Sequence, residues 1–361
     1  MFNNISDRDG NKIRDLLIAA GIRAPSGDNC QPWFFRAEND NKLKIEFLPK
    51  RAKSFFDFQN HGTLLSIGAV IENIRVQAAE HGLGIKVLYP ERISADSTVA
   101  SICWQNSDFV KYPEGQTLAM LNRTVNRRPF IPFRLPEEKL AQVLGEPIEA
   151  TVVQVFQNRD EISKWARIIY IADLIRFSHP VIHQEVFSKI LFSKSEAEEK
   201  RIGLEIDRLG LGPGAGPIIR HIKPWKNMER LSKFGVARLL AGQSRLLSMA
   251  TSALLLVKIS SNDRDNWVKA GEQVQRLWIN AAREGLQVHP MTVSLYLDHR
   301  FQAESIKNFL PHHEPLLMEN RRLLDEILRG GVGTMIFRLG RGIPMKNTAI
   351  RLPFHTFLSS R

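Results

Sequence analysis

A chain of 361 residues with 43% apolar and 24% charged side chains has the composition of a globular protein of one large or two modest domains, and disorder is excluded. Lysine and arginine number 50 against 38 acids, a net +12 that invites an anionic ligand, but the cations are spread along the chain without interleaved aromatics, so no nucleic acid is expected. Cys30 and Cys103 offer neither a disulfide framework nor metal spacing, no apolar run reaches membrane-spanning length and the N-terminus lacks a signal-peptide pattern; the expected setting is cytoplasmic, with no membrane and no metal.

In chain order, Ile13, Leu16, Leu17 and Ala20 predict a helix from Asp9 to Gly21 that ends at its glycine. It leads into a polar turn, Ala24-Pro25-Ser26-Gly27-Asp28-Asn29-Cys30-Gln31-Pro32-Trp33, before the strand-like Phe34-Phe35. Such a density of polar side chains points to partners on a ligand, the alternative being a turn that satisfies only its own backbone. Strands are expected over 43–48, 85–89 and 99–104, then over 150–156, 253–260, 292–297 and 334–339. Helical periodicity covers 160–177, 183–208, 229–250 and 315–329. Residues 207–225, with Gly210, Gly212, Pro213, Gly214, Gly216, Pro217 and Pro224, read as irregular, either a cover over a pocket or a linker. The mixture predicts an α+β protein with a sheet in each half.

An internal repeat organises these elements. Residues 68–83 and 271–286 align without a gap at an offset of 203, matching Gly68 with Gly271, Ala78-Ala79 with Ala281-Ala282 and Gly82-Leu83 with Gly285-Leu286. Each copy is a helix rich in small residues and apolar on most faces, so it belongs at the centre of the fold.

Arg123, Arg127 and Arg128 fall within six residues before Pro129, and such a cluster repels itself unless an anion or carboxylates compensate it. Further on, Gly285-Leu-Gln-Val-His-Pro-Met-Thr-Val293 follows the second repeat helix, and Arg351 lies near the C-terminus. His289 reads equally as a satisfied core histidine and carries no assigned role.

The turn holds Pro25, Ser26, Asn29, Gln31, Pro32 and Trp33 at the fixed positions of a Pro-Ser-x-x-Asn-x-Gln-Pro-Trp pattern, and so resembles a signature of the FMN-dependent nitroreductase family. In that family the turn lies against the flavin ring. The arginine cluster resembles the family's Arg-x-Ser-x-Arg motif, which holds the FMN phosphate, with Arg123 and Arg127 on the basic positions and Val125 in place of the serine. By the same resemblance Pro290 and Met291 pack on the ring, the Thr292 or Val293 amide faces flavin N5, and Arg351 completes the phosphate site with Ala349 where the family has lysine. Two core helices in one chain resemble the Acg-type branch, a dimer fused into one polypeptide.

The resemblance implies a nitroreductase-like fold with mixed, mainly antiparallel sheets flanked by helices. Its first half is 1–115 and its second half 116–361, with a lid-like insertion at about 178–225. It also implies one complete FMN site per chain, NAD(P)H as electron donor, and hydride transfer through N5 to a nitro-aromatic, quinone or similar small acceptor, with no catalytic side chain. As a pseudo-dimer the chain is expected to be a monomer rather than a homodimer. A lidded FMN-binding protein with little reductase activity and a flavin-dependent biosynthetic oxidase are the competing readings.

Overall fold

The computed structural model describes residues 7–39, 41–90, 98–106, 109–212 and 214–358; Pro213 and the first six residues lie outside them. The first part of the chain runs α1 (Asp7–Ile22), β1 (Trp33–Asn39), β2 (Lys42–Phe47), α2 (Pro49–Ala52), α3 (His61–Glu80), β3 (Gly84–Leu88) and β4 (Thr98–Gln105). Its strands form an antiparallel sheet in the order β1-β2-β4-β3. After α4 (Gln116–Asn122) and α5 (Glu137–Leu144) comes β5 (Thr151–Phe156). Then follow α6 (Arg159–Ser178), α7 (Pro180–Ser188), β6 (Ile190–Leu191), α8 (Lys194–Lys200), β7 (Leu204–Glu205), α9 (Ala215–Ile222), α10 (Trp225–Ser232) and α11 (Val236–Met249). The chain ends with β8 (Ala253–Ile259), α12 (Arg264–Arg283), β9 (Gln287–Pro290), α13 (Val293–Glu304), α14 (Glu314–Leu328) and β10 (Val332–Gly340). The second sheet, β5-β8-β10-β9, repeats the first in order and antiparallel pairing. In each half the long helix follows the second strand of the sheet; the second half differs by the segment 157–252, inserted between β5 and β8.

The repeat marks the middle of the molecule. Helices α3 and α12 start at 61 and 264 and end at 80 and 283, the 203-residue offset at both ends. They cross where Gly68 meets Gly271. A Cβ on Gly68 would lie 1.9 Å from the Val268 carbonyl oxygen, and one on Gly271 would lie 2.1 Å from that of Leu65. Only glycine lets two helix backbones approach so closely.

Polar groups fix the register beside that crossing. The Arg276 guanidinium donates to both oxygens of the buried Glu72, at 2.8 and 3.0 Å, and Gln275 Nε2 donates to Asn73 Oδ1 at 2.6 Å. Shifted by the repeat, the first pair becomes the second, so the interface has a local two-fold character. A buried ion pair is weak evidence of stability but misregistry would leave a charge unpaired, which makes it specific. Around it one continuous core joins Phe35, Ile67 and Val70 to Trp267, Val274 and Phe337.

The C-terminal segment leaves β10 and returns to the first half. There Leu358 bridges Phe35 in parallel and Trp33 stacks on Phe357, with ring centroids 6.4 Å apart.

The expected strand over 292–297 is instead the first half of α13. Thr292 and Val293 have the β-branched character of a strand, but the buried positions Ser294, Leu295, Leu297 and Asp298 follow helical spacing. The helix expected over 183–208 is divided into α7, β6, α8 and β7, with Ser193 capping α8 by accepting from the Glu196 amide. That over 229–250 is divided at Gly235, whose φ is 90°. The irregular stretch 207–225 contains α9, where Pro217 sits in the first turn and costs no hydrogen bond.

Gly68→Ala should force the central helices apart and lower the unfolding free energy by about 3 kcal/mol or more. Urea denaturation checks this, and an unchanged midpoint would contradict the close approach.

Candidate functional site

The polar turn is held open by backbone geometry that few residues accept. Asp28, Asn29 and Gln31 have φ of 48°, 55° and 50°, a region Asn and Asp tolerate through local hydrogen bonds and Gln adopts only under constraint. Ser26 Oγ accepts from the Gln31 amide at 2.9 Å. Asn29 Nδ2 donates to the Ile350 carbonyl at 2.9 Å, and Gln31 Oε1 accepts from the Leu352 amide at 2.9 Å. Arg351 locks the arrangement: it donates to Asn29 Oδ1 at 2.8 Å and to the carbonyls of Ile22, Arg23 and Ala24. From the insertion, the Arg201 carbonyl accepts from Gln31 Nε2 at 2.8 Å and from Asn29 Nδ2 at 3.3 Å. Pro25, at the entrance of the turn, is half-buried. In this state the turn's side chains bond to the C-terminal segment and to the insertion.

Behind the turn, four arginines converge. Arg123 is buried against the Trp278 ring, its guanidinium carbon 4.4 Å from the centroid, and donates to the Arg23 carbonyl. Burial and then repulsion from Arg351, Arg23 and Arg208 press its ionisation well below the usual arginine range. Burial, Arg23 and Arg208 lower Arg351 to about 9, with Glu205 opposing. That carboxylate, 3.9 Å from Arg208, is the acid facing this group among the described residues. Arg123 Nε, moreover, is buried with no partner. Guanidinium groups gathered this way call for a bound anion, and their fork geometry suits phosphate. Arg123 and Arg351 were legible in the sequence. Arg23 and Arg208 were not, although Arg23 directly precedes the turn and Arg208 opens the glycine run.

The second group surrounds Arg127, which donates to the Arg208 carbonyl at 3.1 Å. Burial lowers Arg127 to about 10, with Asp28 opposing and Arg208 and Arg176 adding to the shift. Asp28 is raised by burial and by Glu185, against Lys189, Arg127 and Arg176. Burial, then Arg338, Arg127 and Arg176, hold His289 well below its ordinary value, so its imidazole is neutral. Arg338 Nε donates to His289 Nδ1 at 3.0 Å, which fixes that nitrogen as the acceptor. Burial raises Tyr296, which keeps its hydroxyl protonated. Asp28, Arg127, His289 and Tyr296 remain partly accessible although desolvation dominates the ionisation of each.

Beyond β9, Pro290 and Met291 are half-buried and Thr292 is buried. Met291 accepts from the Ser248 hydroxyl, its amide donates to Ile336, and the Thr292 hydroxyl donates to Met335 Sδ. The Thr292 and Val293 amides open α13, where helix N–H groups have no carbonyl of their own and carry positive dipole. The charged partners of Asp28, Arg127 and His289 define the candidate cleft: the turn from the first half, Arg127 and β9 from the second, and Arg176, Glu185, Lys189 and Arg208 from the insertion. Its donor set suits a planar ligand with an anionic tail.

The chain is 26% identical over 284 residues to "Putative NAD(P)H nitroreductase acg" of Mycobacterium tuberculosis, covering 76% of this chain and 78% of that protein. That likeness is distant in sequence. A second match, 26% identical over 337 residues, is to "Uncharacterized protein MT1398" of Mycobacterium tuberculosis; it covers 91% of this chain, which spans about half (46%) of that relative. Solved structures with similarity include a putative nitroreductase from Anabaena variabilis, with TM-score 0.48 and 11% identity, covering 95% of this chain and 90% of that one. Another is a nitroreductase with bound FMN from Desulfitobacterium hafniense, with TM-score 0.34 and 12% identity, covering 69% of this chain and all of that one (100%). No protein-family profile matches the sequence. The chain itself combines mixed helices with two antiparallel sheets.

Neutral histidines set an acid limit on this architecture. Burial lowers His61 and His183 to about 4 and His299 and His313 to about 3, and His289 shares the direction. Below the ordinary value of about 6.5 the unfolded chain takes up protons that the folded one refuses, so stability falls as pH falls, by up to about 1.4 kcal/mol per pH unit for each group. The melting temperature should be level above pH 7 and decline from about pH 6.5 downward. A melting temperature that stays level down to pH 5 would contradict neutral burial.

Proposed function

We propose that this protein is an FMN-dependent NAD(P)H oxidoreductase of nitroreductase type, acting on a nitro-aromatic, quinone or similar electron-poor acceptor. The observation that carries the reading is the convergence of Arg23, Arg123, Arg208 and Arg351 behind the Pro25–Gln31 turn with one carboxylate among them. An FMN phosphate would supply the missing negative charge, and the partnerless Arg123 Nε offers it a donor, so the residues present fit the group.

Bound FMN supplies the two-electron redox chemistry. The protein binds, orients and shields. Arg123 and Arg351, with Arg23 and Arg208, would hold the phosphate, and Arg127 would place positive charge deeper in the cleft. The Thr292 and Val293 amides would offer N–H donors at the positive end of α13. Pro290 and Met291 would give the ring an apolar seat, while the insertion, through Arg201 and Arg208, keeps water out. No side chain of the cleft is required as acid or nucleophile. The matching sheets and the offset of the two core helices support reading the chain as two nitroreductase-like halves fused into a pseudo-dimer, with a boundary near residue 115 and the insertion as cover.

A second reading, FMN sequestration with little turnover, is favoured by the direct bonds from Asn29 and Gln31 to Arg201 of the insertion. Absorbance of the FMN-loaded protein, with NADPH oxidation in the presence of menadione or nitrofurazone, decides between them. Turnover supports the reductase, bound FMN that NAD(P)H cannot reduce supports sequestration, and failure to bind FMN ends both.

Arg23→Ala with Arg208→Ala should weaken FMN by about 2 kcal/mol per lost contact while the chain stays folded. Unchanged affinity would remove these two arginines from the site.

A further inference from the structure

The insertion carries a surface that the proposed redox chemistry does not use. Helices α9, α10 and α11 bury their inner sides in one shared cluster, where Ile222, Met228 and Ala237 pack with Phe187 and Ile190. The outer sides of these helices carry exposed residues. On α10 and its C-terminal cap, Lys226, Arg230 and Lys233 recur at i, i+4 and i+7, a single stripe. On α11, Arg238 and Arg245 lie seven residues apart, directly beside Leu239 and Leu246 at the same spacing. Phe234 sits at the bend between the two helices. It is 82% exposed, and Leu239 and Leu246 are 72% and 70% exposed.

Those five cations have no ion pair or side-chain hydrogen bond among the described residues. Across residues 215–250 seven lysines and arginines accompany one acid, Glu229. Exposed large apolar side chains set among unpaired cations are costly in water and match a surface that is anionic outside and apolar beneath.

We propose that this face docks on a bilayer bearing anionic phospholipids. Phe234, Leu239 and Leu246 enter the boundary between headgroups and acyl chains, and Lys226, Arg230, Lys233, Arg238 and Arg245 lie along the lipid phosphates. A second copy of the chain fits poorly, because pairing this face with itself opposes cations to cations. Nucleic acid would leave the two leucines without a partner. The described residues hold no helix long and apolar enough to cross a membrane, and attachment at the surface needs none. This proposal departs from the expectation of no membrane partner and does not depend on whether the cleft holds a flavin.

Vesicle flotation tests the proposal with the full chain. The protein should float with phosphatidylcholine vesicles containing about 30% phosphatidylglycerol at about 0.1 M salt, should not float with phosphatidylcholine alone, and should be released at about 0.5 M salt. Arg238→Glu with Arg245→Glu, and separately Phe234→Ser with Leu239→Ser and Leu246→Ser, should each reduce partitioning at least roughly tenfold with an unchanged circular dichroism spectrum. The lipid and salt arms use the unaltered chain, so a variant that fails to fold does not remove the test. Absence of flotation with anionic vesicles, or flotation that both variants leave unchanged, would overturn it. A dimer in sedimentation velocity that the apolar variant abolishes, or duplex DNA binding that the charge variant abolishes, would overturn it where flotation is absent and would assign the face to that occupant.

Discussion

The backbone contact at Gly68 and Gly271 is the constraint on which the rest of the structure depends. Because no side chain separates α3 from α12 there, the two sheets are set at a fixed distance and one core runs through both halves. The ion pair between Glu72 and Arg276 and the amide pair between Asn73 and Gln275 then select the register. With that register in place, β9 and the start of α13 leave the C-terminal end of α12 from the second half. The Pro25–Gln31 turn follows α1, which packs on α3 in the first. The cleft is thus a consequence of the crossing.

What fills the cleft is decided by electrostatics. Burying a guanidinium without a carboxylate is unfavourable, and Arg123 and Arg351 accept that cost in a group whose nearest compensation is the half-buried Glu205. Their bonds to backbone carbonyls satisfy hydrogen-bonding capacity but not charge. A phosphate would satisfy both, and the same bonds already aim Arg351 at the turn. The insertion adds Arg208 to the group and lays the Arg201 carbonyl against Asn29 and Gln31, so it helps to build the candidate site. Its outer face, meanwhile, is rich in cations and exposed apolar side chains.

Much of this was legible in the sequence because it rests on local pattern. The 203-residue offset marked both core helices and their glycine endings, and six of the seven expected strands fell within a residue or two of the observed bounds, the exception being 292–297. There β-branched residues favoured a strand locally, whereas packing of Leu295 and Leu297 against the second core favoured a helix. Arg123, Arg127 and Arg351 could be marked from the motif, but Arg23 and Arg208 join them through tertiary contacts that no spacing encodes. The helices inside 183–250 were blurred for a related reason: their short amphipathic segments are parted by single caps such as Ser193 and Gly235, which periodicity alone runs across.

The account stands on an anionic group being held by the arginines behind the turn. Calorimetric titration of the flavin-free protein with FMN and with riboflavin, which share a ring but differ in the phosphate, tests this most directly. FMN should bind at least about a hundredfold more tightly, the equivalent of roughly one to two charge-assisted contacts. Equal affinity for the two flavins would contradict the account.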